Sequence, residues 1–227
     1  VAGDGLLAGR ITIDGVDRAR VPLAILRARL TMIPQDAVIF TGTLRENVDP
    51  AAAHADADVA AALAAVRLAE PLAPRRDDAD RSPAPTRARL LELRVTELGG
   101  NISSGQAQLI CFARALLERS AVVMLDEATA NCDHATDATI QALIRTRFKA
   151  STVLTIAHRL ATVIDYDKLV VLHAGAVAES GSPAALLADP ASKFSQLVAE
   201  VGGESAAQLR ASADAAAAKR ARRTSDE

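Results

Sequence analysis

The sequence is poor in several residue types that mark particular classes of protein. Its 227 residues include no tryptophan, one tyrosine and two cysteines. Cys111 and Cys132 fit neither a disulfide framework nor the spacing of a metal site, so we expect reduced thiols. Aromatic residues make up 2% of the chain. Together with the abundance of alanine, we interpret this scarcity as a compositional bias rather than as a sign of mechanism.

An excess of one charge and long apolar runs are also lacking. The net charge is -2 and the pI is near 6.1, so the composition gives no basic footprint for nucleic acid. No apolar run approaches the roughly 18 residues that a membrane span needs. Membrane association is therefore expected only through a partner or another part of the polypeptide. The hydrophobic half of the composition is enough for the core of one sizeable α/β domain.

The most informative stretch that is present is Ala121–Glu127, an apolar run that ends in two carboxylates. Apolar runs with β-branched members are typical of strands buried on both faces of a parallel sheet. Ligands of open α/β sheets lie beyond the carboxyl ends of the strands, so Asp126 and Glu127 are expected to project into a site. The alternative from this stretch alone is a strand followed by a solvated acidic turn.

Other segments add polar residues at the ends of predicted elements. Thr152–His158 is a predicted buried strand that ends in His158, and Leu30–Gln35 is a predicted strand that ends in Gln35. Asn101–Gln106 leads into an apolar helix, with Ser103 and Gln106 spaced as a capping box. A serine and a glycine at a helix start can form an anion site, although an ordinary capped helix is common.

In this order the segments resemble the nucleotide-binding domain of ABC transporters. The correspondences are Gln35 with the Q-loop, Ile102–Gln106 with the signature motif, Val122–Glu127 with the Walker B strand, Asp133 with the D-loop and His158 with the H-loop. The sequence around these motifs is similar to that of the second nucleotide-binding domain of subfamily C, the multidrug-resistance-associated exporters. The resemblance covers roughly residues 9–200.

The resemblance implies an α/β fold, a P-loop NTPase (RecA-like) ABC ATPase core with an inserted helical subdomain. The expected divisions are a single nucleotide-binding domain over 1–200, with the sheet core in 1–50 and 121–200, the helical subdomain in 51–120, an exposed loop over 74–89, and a flexible tail over 201–227. The family places its Walker A loop, G-x-x-x-x-G-K-[ST], upstream of the strand Arg10–Ile13. No Gly-Lys pair occurs in the sequence, so we expect an N-terminally incomplete domain.

The resemblance also implies a role for each site residue, with ATP and Mg²⁺ as cofactors. Glu127 would accept the proton of the attacking water, and His158 would bind the γ-phosphate and orient that water. Gln35 and Asp126 would hold Mg²⁺. Asp133 would couple the two domains of a dimer. A glutamate at position 127 favours a catalytically competent domain, because degenerate sites in this subfamily often have aspartate there.

The signature residues are expected to contact ATP held by the opposite domain. These residues are Ile102, Ser103, Ser104, Gly105 and Gln106. Ser104 stands where the commonest motif has glycine, and Ala107 replaces a residue that is usually basic. Asn131 departs from the small residues usual in the D-loop, and we expect it to loosen communication across the dimer.

The expected function is that of an ABC exporter domain, coupling ATP binding and hydrolysis to transmembrane transport. Its partners would be a second nucleotide-binding domain and the transmembrane domains, with no nucleic acid, at the cytoplasmic face of a membrane. One alternative is a non-hydrolysing fragment or pairing module that offers its signature motif to a partner's ATP. Another is a DNA-repair type of ABC ATPase, which the short stretch between Gln35 and Ser103, without sustained heptads, disfavours.

Overall fold

The computed structural model describes residues 9–68 and 87–225. The strands are β1 (Thr12–Ile13), β2 (Val16–Asp17), β3 (Leu30–Ile33), β4 (Gly42–Thr43), β5 (Arg94–Val95), β6 (Val122–Asp126), β7 (Thr152–Ile156), β8 (Leu169–His173) and β9 (Ala176–Gly181). The helices are α1 (Leu23–Arg27), α2 (Leu44–Val48), α3 (Asp56–Ala65), α4 (Arg87–Leu91), α5 (Ser104–Glu118), α6 (His134–Arg147), α7 (Leu160–Val163), α8 (Pro183–Ala188), α9 (Lys193–Val201) and α10 (Gly203–Ser225). Within the described residues, no helix is both long and apolar enough to cross a membrane. The predicted loop 74–89 lies outside the described residues except for its last three, which begin α4.

The chain divides into two compact units, residues 1–156 and residues 157–227. The single domain predicted over 1–200 stays a prediction.

The first unit is built on a parallel sheet in the order β3-β6-β7. Ile33 of β3 pairs with Leu125 of β6, and Asp126 pairs with Ile156 of β7. All three strands run in the same direction, so their carboxyl ends meet at one edge of the sheet. α6 connects β6 to β7 as the crossover that parallel strands require.

One face of this sheet is buried and the other is open. Ile33, Val123 and Leu125 join the core with α5, whose Phe112 meets Phe148 edge-on at 6.4 Å between ring centroids. The opposite face carries exposed apolar side chains, namely Met32 (50% exposed), Leu154 (56%) and Ile156 (62%). The prediction that Thr152–His158 is a buried strand is therefore wrong for one face of β7, because no described element of this unit covers that face.

Short hairpins and caps complete the first unit. Asp14 and Gly15, a pair typical of tight hairpin turns, have φ of 50° and 77° and join β1 to β2. Thr43 and Glu46, which have the spacing of a capping box in the sequence, form one at the start of α2. The predicted helical subdomain, residues 51–120, also contains a strand: β5 pairs with β4, and Val95 and Arg94 align with Gly42 and Thr43.

The second unit contains the hairpin β8-β9 and the helices α8 to α10. Ala174 and Gly175 form the turn of that hairpin, and Ser182 caps α8, with proline following at the first helical position. The flexible tail predicted from residue 201 is wrong, because α10 is a helix of 23 residues. Alanine is the strongest helix former, and Ala206, Leu209 and Ala213 lie on the helix face that packs on this unit's core cluster.

Candidate functional site

The carboxyl edge of the parallel sheet gathers polar residues from neighbouring strands. Asp126 is the last residue of β6, and Glu127 follows it; both are half-buried. Gln35 is exposed and lies two residues beyond the end of β3, the strand that pairs directly with β6. The structure thus brings Gln35, Asp126 and Glu127 to the same edge of one sheet. Ligands of open α/β sheets bind at this edge.

Glu127 has an unusual backbone conformation. Its φ is 47°, in the left-handed region, where a residue with a side chain is strained by about 1–2 kcal/mol. Its amide donates to the carbonyl of Ile156 over 3.1 Å, and its own carbonyl accepts from Ala130 N at 2.9 Å. Strained residues of this kind cluster at functional sites. Sequence reasoning singled out this glutamate but gave no sign of its strain.

The start of α5 has the geometry of an anion site. Ser103 is its N-cap, with Gln106 N donating to Ser103 Oγ over 3.2 Å and Ser103 N donating to Gln106 Oε1 over 2.9 Å. The predicted capping box is therefore confirmed. The amides of Ser104 and Gly105, in the first turn, have no carbonyl partner within the helix. Free amides and the positive end of the helix dipole favour an anion at this point.

The same helix start packs closely against the start of α6. A Cβ atom at Gly105 would lie 3.1 Å from Thr136 Oγ1 and 3.4 Å from Asp133 Oδ2, so a larger residue would crowd both. Asp133 caps α6, and its Oδ1 accepts from the amides of Ala135 at 2.9 Å and Thr136 at 3.0 Å. These hydrogen bonds, led by that from Thr136 N, hold the pKa of Asp133 below its usual value. The predicted signature and D-loop residues are therefore neighbours within one chain.

Asn131 joins this arrangement to the segment that follows Gln35. Its carbonyl accepts from Ser104 Oγ at 3.1 Å, and its Nδ2 lies 3.4 Å from Asp36 Oδ1. Within the chain, Asn131 therefore contacts both the predicted signature and the predicted Q-loop. Its predicted effect across a dimer stays a prediction.

The family model described as ABC transporter matches residues 5–130, more than half of the chain. The chain belongs to the ABC transporter family. This confirms the family inferred from the order of the motifs.

The relatives of this ABC domain bear out the predicted subfamily. Multidrug resistance protein mrp-7 of Caenorhabditis elegans is 45% identical over 85% of this chain and 12% of its own length. ABC transporter C family member 7 of Arabidopsis thaliana is 43% identical over 90% and 13%, respectively. ATP-binding cassette sub-family C member 4 of Mus musculus is 42% identical over 88% and 14%. The chain thus spans between 12% and 14% of the length of these relatives.

A solved structure supports the predicted fold of the ABC domain. A bacterial Atm1-family ABC exporter with ATP bound matches with a TM-score of 0.74 and 32% identity, over 87% of this chain and 33% of that one. The α/β fold of the P-loop NTPase class is confirmed.

Side chains that sequence reasoning missed hold the segment after β3 in place. Gln108, buried on α5, donates from Nε2 to the carbonyl of Pro34 over 3.0 Å. Asn47, buried on α2, accepts from Phe40 N and donates to Phe40 O, each at 2.8 Å. The main chain on both sides of Gln35 is therefore fixed by side chains from two helices. Because Gln108 is a polar residue among the apolar residues of α5, the helical periodicity alone could have identified it.

Arg114 of α5 contacts the same segment. Its guanidinium donates to the carbonyl of Val38 over 2.6 Å and to the carbonyl of Asn47, and it stacks 5.2 Å from the ring centroid of Phe40. Burial lowers the pKa of Arg114 from its usual value, and the neighbouring Cys111 and Glu118 oppose that effect. Arginine remains charged in proteins, so these carbonyls have a permanent cationic donor.

Replacing Arg114 with methionine is expected to lower the free energy of unfolding by about 2–3 kcal/mol, because two carbonyls lose a charged donor. Urea unfolding measures this loss. Arg27→Met, at an exposed arginine at the end of α1, is the matched control and should change stability by less than about 0.5 kcal/mol. Equal effects of the two variants would show that Arg114 does not stabilise the segment.

His158 belongs to the second unit, two residues beyond the end of β7 in sequence, and its side chain is exposed. Its predicted contact with the γ-phosphate stays a prediction.

The residues predicted to hold Mg²⁺ fit that ion chemically. The carboxylate of Asp126 and the amide oxygen of Gln35 are hard oxygen donors, which Mg²⁺ prefers when phosphates and water supply the other ligands. Among residues 9–68 and 87–225, no group of three or more His, Cys, Asp or Glu side chains could hold a metal ion.

Proposed function

We propose that this chain is the ATP-binding cassette domain of an exporter and couples ATP binding and hydrolysis to transport across a membrane. The observation that carries the proposal is the gathering of Gln35, Asp126 and Glu127 at the carboxyl edge of adjacent parallel strands. This edge is where a nucleotide and its ion would lie. The chain spans 12–14% of the length of its relatives, so we propose, and do not observe, the transport activity of the whole protein.

Glu127 would act as the general base of hydrolysis. Its carboxylate follows the last residue of β6, and the hydrogen bond from its amide to Ile156 fixes the backbone from which the side chain extends. A base held in this way can accept the proton of a water molecule that attacks the γ-phosphate. His158 would bind the γ-phosphate and orient that water.

Asp126 and Gln35 would hold Mg²⁺, which supplies neutralisation of phosphate charge when it is bound with ATP. The carboxylate contributes a negative charge, whereas the neutral amide adds a ligand without further charge. The contacts of Gln108 and Asn47 on either side of Gln35 would keep that amide in position.

The start of α5 would bind the γ-phosphate of ATP held by a second ABC domain. Ser103 Oγ accepts from Gln106 N, and its hydroxyl proton remains available to a phosphate oxygen. Ile102 precedes this cap, and the amides of Ser104 and Gly105 would add two donors. Asp133 lies beside this helix start and would transmit the state of one domain to the other. The remaining partners would be transmembrane domains, with this domain on the cytoplasmic face.

The proposed function is tested by phosphate release from Mg-ATP in membrane vesicles that contain the complete protein. We expect release that stops when EDTA removes the magnesium. Release at the same rate in EDTA, or none above that of vesicles without the protein, would contradict the proposal.

An alternative is a pairing module that offers its signature helix to a partner's ATP. It is favoured by the start of α5, where the cap at Ser103 leaves a hydroxyl proton and helix-end amides available to an anion.

The 227-residue chain by itself is expected to bind Mg-ATP weakly and to release no phosphate. The site residues it contains serve the metal and the water, and carboxylates repel an anionic ligand that few amides or lysines hold. Calorimetric titration of the purified chain with Mg-ATP measures the affinity. Titration with ATP alone is the control, because the repulsion is then strongest. Micromolar affinity for Mg-ATP would show that other residues of this chain hold the nucleotide.

A further inference from the structure

A second concave site lies at the opposite edge of the parallel sheet. It is a surface depression of about 770 Å³ at the amino ends of the three strands, where Arg29 precedes β3, Arg119 and Ser120 precede β6, and Ser151 precedes β7. Gln35, Asp126 and Glu127 lie at the carboxyl ends of these strands, which form the proposed nucleotide edge. The depression is therefore separate from that edge. Its volume falls within the range of small-molecule sites.

Positive charge dominates the lining of this depression. Arg29, Arg119 and Arg147 line it, and Asp58 is the acidic residue among the lining side chains. The local charge is therefore about +2 on a chain whose net charge is -2. None of the three guanidinium groups forms a hydrogen bond or ion pair with another residue within the described ranges 9–68 and 87–225. Three like charges around one depression repel one another unless an anion lies between them.

Small residues and one strained residue shape the depression. Several alanines on α3, on α5, before β6 and before β7 line it and leave its volume free: Ala61, Ala62, Ala65, Ala115, Ala121 and Ala150. Arg119 ends α5 in the left-handed conformation, with φ of 48°, where helices usually have glycine. An arginine at this position costs stability that a glycine would not.

Helix dipoles account for only part of this arrangement. Arg119 and Arg147 lie at the carboxyl ends of α5 and α6, where a cation offsets the partial negative charge of the helix end. Arg29 lies outside any helix and adds a third guanidinium to the same lining. A role in the helix ends alone predicts no ligand, so a binding measurement distinguishes the two explanations.

We propose that this depression binds a compact ligand that carries clustered phosphate groups. Guanidinium groups bind phosphate oxygens in pairs, through parallel charge-assisted hydrogen bonds, and three of them around one depression match several phosphates on one small scaffold. The same chemistry is found in soluble polyphosphates and in phosphorylated lipid headgroups. This inference is independent of the proposed function, because it uses none of the residues at the nucleotide edge.

The test is calorimetric titration of the purified chain with inositol hexakisphosphate, without magnesium and at fixed salt. We expect saturable binding that Arg119→Gln/Arg147→Gln weakens by about tenfold or more, since each charge-assisted hydrogen bond contributes substantially. The matched control is Lys219→Gln/Arg222→Gln, which removes two exposed positive charges from α10 and should leave the affinity unchanged. Thermal unfolding without ligand checks that both variants are folded; if Arg119→Gln/Arg147→Gln is not, the single variant Arg29→Gln, outside any helix, replaces it.

A second arm distinguishes the sources of the ligand. Sedimentation with phosphatidylcholine vesicles, with and without a phosphorylated inositol lipid, shows whether a headgroup in a membrane is bound as well as the soluble probe. Binding to either probe that is lost in the arginine variant supports the proposal. No binding to either probe, or equal weakening in the α10 control, would overturn it and leave the arginines as helix-end cations.

Discussion

Replacing Glu127 with glutamine is expected to preserve ATP binding in the proposed transporter and to slow hydrolysis by about a hundred- to ten-thousandfold. This corresponds to about 3–5 kcal/mol of activation free energy, the usual contribution of a general base. Glutamine keeps the shape of the side chain and the left-handed backbone, but its amide cannot accept the proton of the attacking water. The measurement is phosphate release at saturating Mg-ATP, with nucleotide affinity determined separately.

Glu92→Gln provides the matched control for this prediction. Glu92 is an exposed glutamate in the same unit, just beyond α4. Its replacement by glutamine is the same chemical change, made away from the carboxyl edge of the sheet. Turnover should be unchanged in Glu92→Gln. Wild-type turnover in Glu127→Gln would remove Glu127 from the mechanism, and a loss of ATP binding would show that the residue holds the nucleotide instead.

Replacing Ser103 with arginine is expected to abolish the ATP-driven pairing of two ABC domains while leaving the domain folded. The bulky side chain would occupy the position of the phosphate at the start of α5. The lost cap should lower the free energy of unfolding by only about 1 kcal/mol. Size-exclusion chromatography of this domain mixed with the second ABC domain of the proposed transporter, in Mg-ATP, measures the pairing, because the ATP that Ser103 would contact is held by that second domain.

Two alanine variants separate the lost cap from the blocked site. Ser103→Ala removes the capping hydroxyl without filling the phosphate position, and Thr43→Ala removes the equivalent cap of α2. Thr43→Ala should destabilise the domain without affecting pairing, and Ser103→Ala should weaken pairing less than Ser103→Arg does. If Ser103→Arg still forms the dimer, the start of α5 is not the contact with the partner's nucleotide.

The sequence alone was sufficient to predict caps and turns that are formed by residues close together in the chain. The capping boxes that begin at Thr43 and Ser103 and the turn at Asp14-Gly15 each depend on residues at most three positions apart. The acidic end of the Ala121–Glu127 run could likewise be predicted, because the apolar residues and the two carboxylates are contiguous in one strand.

Features that depend on distant partners could not be predicted in this way. Arg114 meets carbonyls 67 and 76 residues away, and nothing near it in the sequence indicates them. The alanine-rich segment after Gly202 has a composition that suits either a free tail or a packed helix, and the packing of Leu209 and Ala213 decides between them. The exposure of Leu154 was missed for the same reason, since an apolar run does not show which face of a sheet is covered.

The contacts of α5 link the start of this helix to the segment around Gln35. Ser103 begins this helix, while Gln108 and Arg114, farther along it, hold the segment around Gln35. A helix of 15 residues, about 22 Å long, moves as a stiff body. An anion that shifted the start of α5 would therefore change the free energy of whatever contacts the segment around Gln35. By linkage, a ligand bound to that segment would then alter the affinity of the helix start for its anion by the same factor.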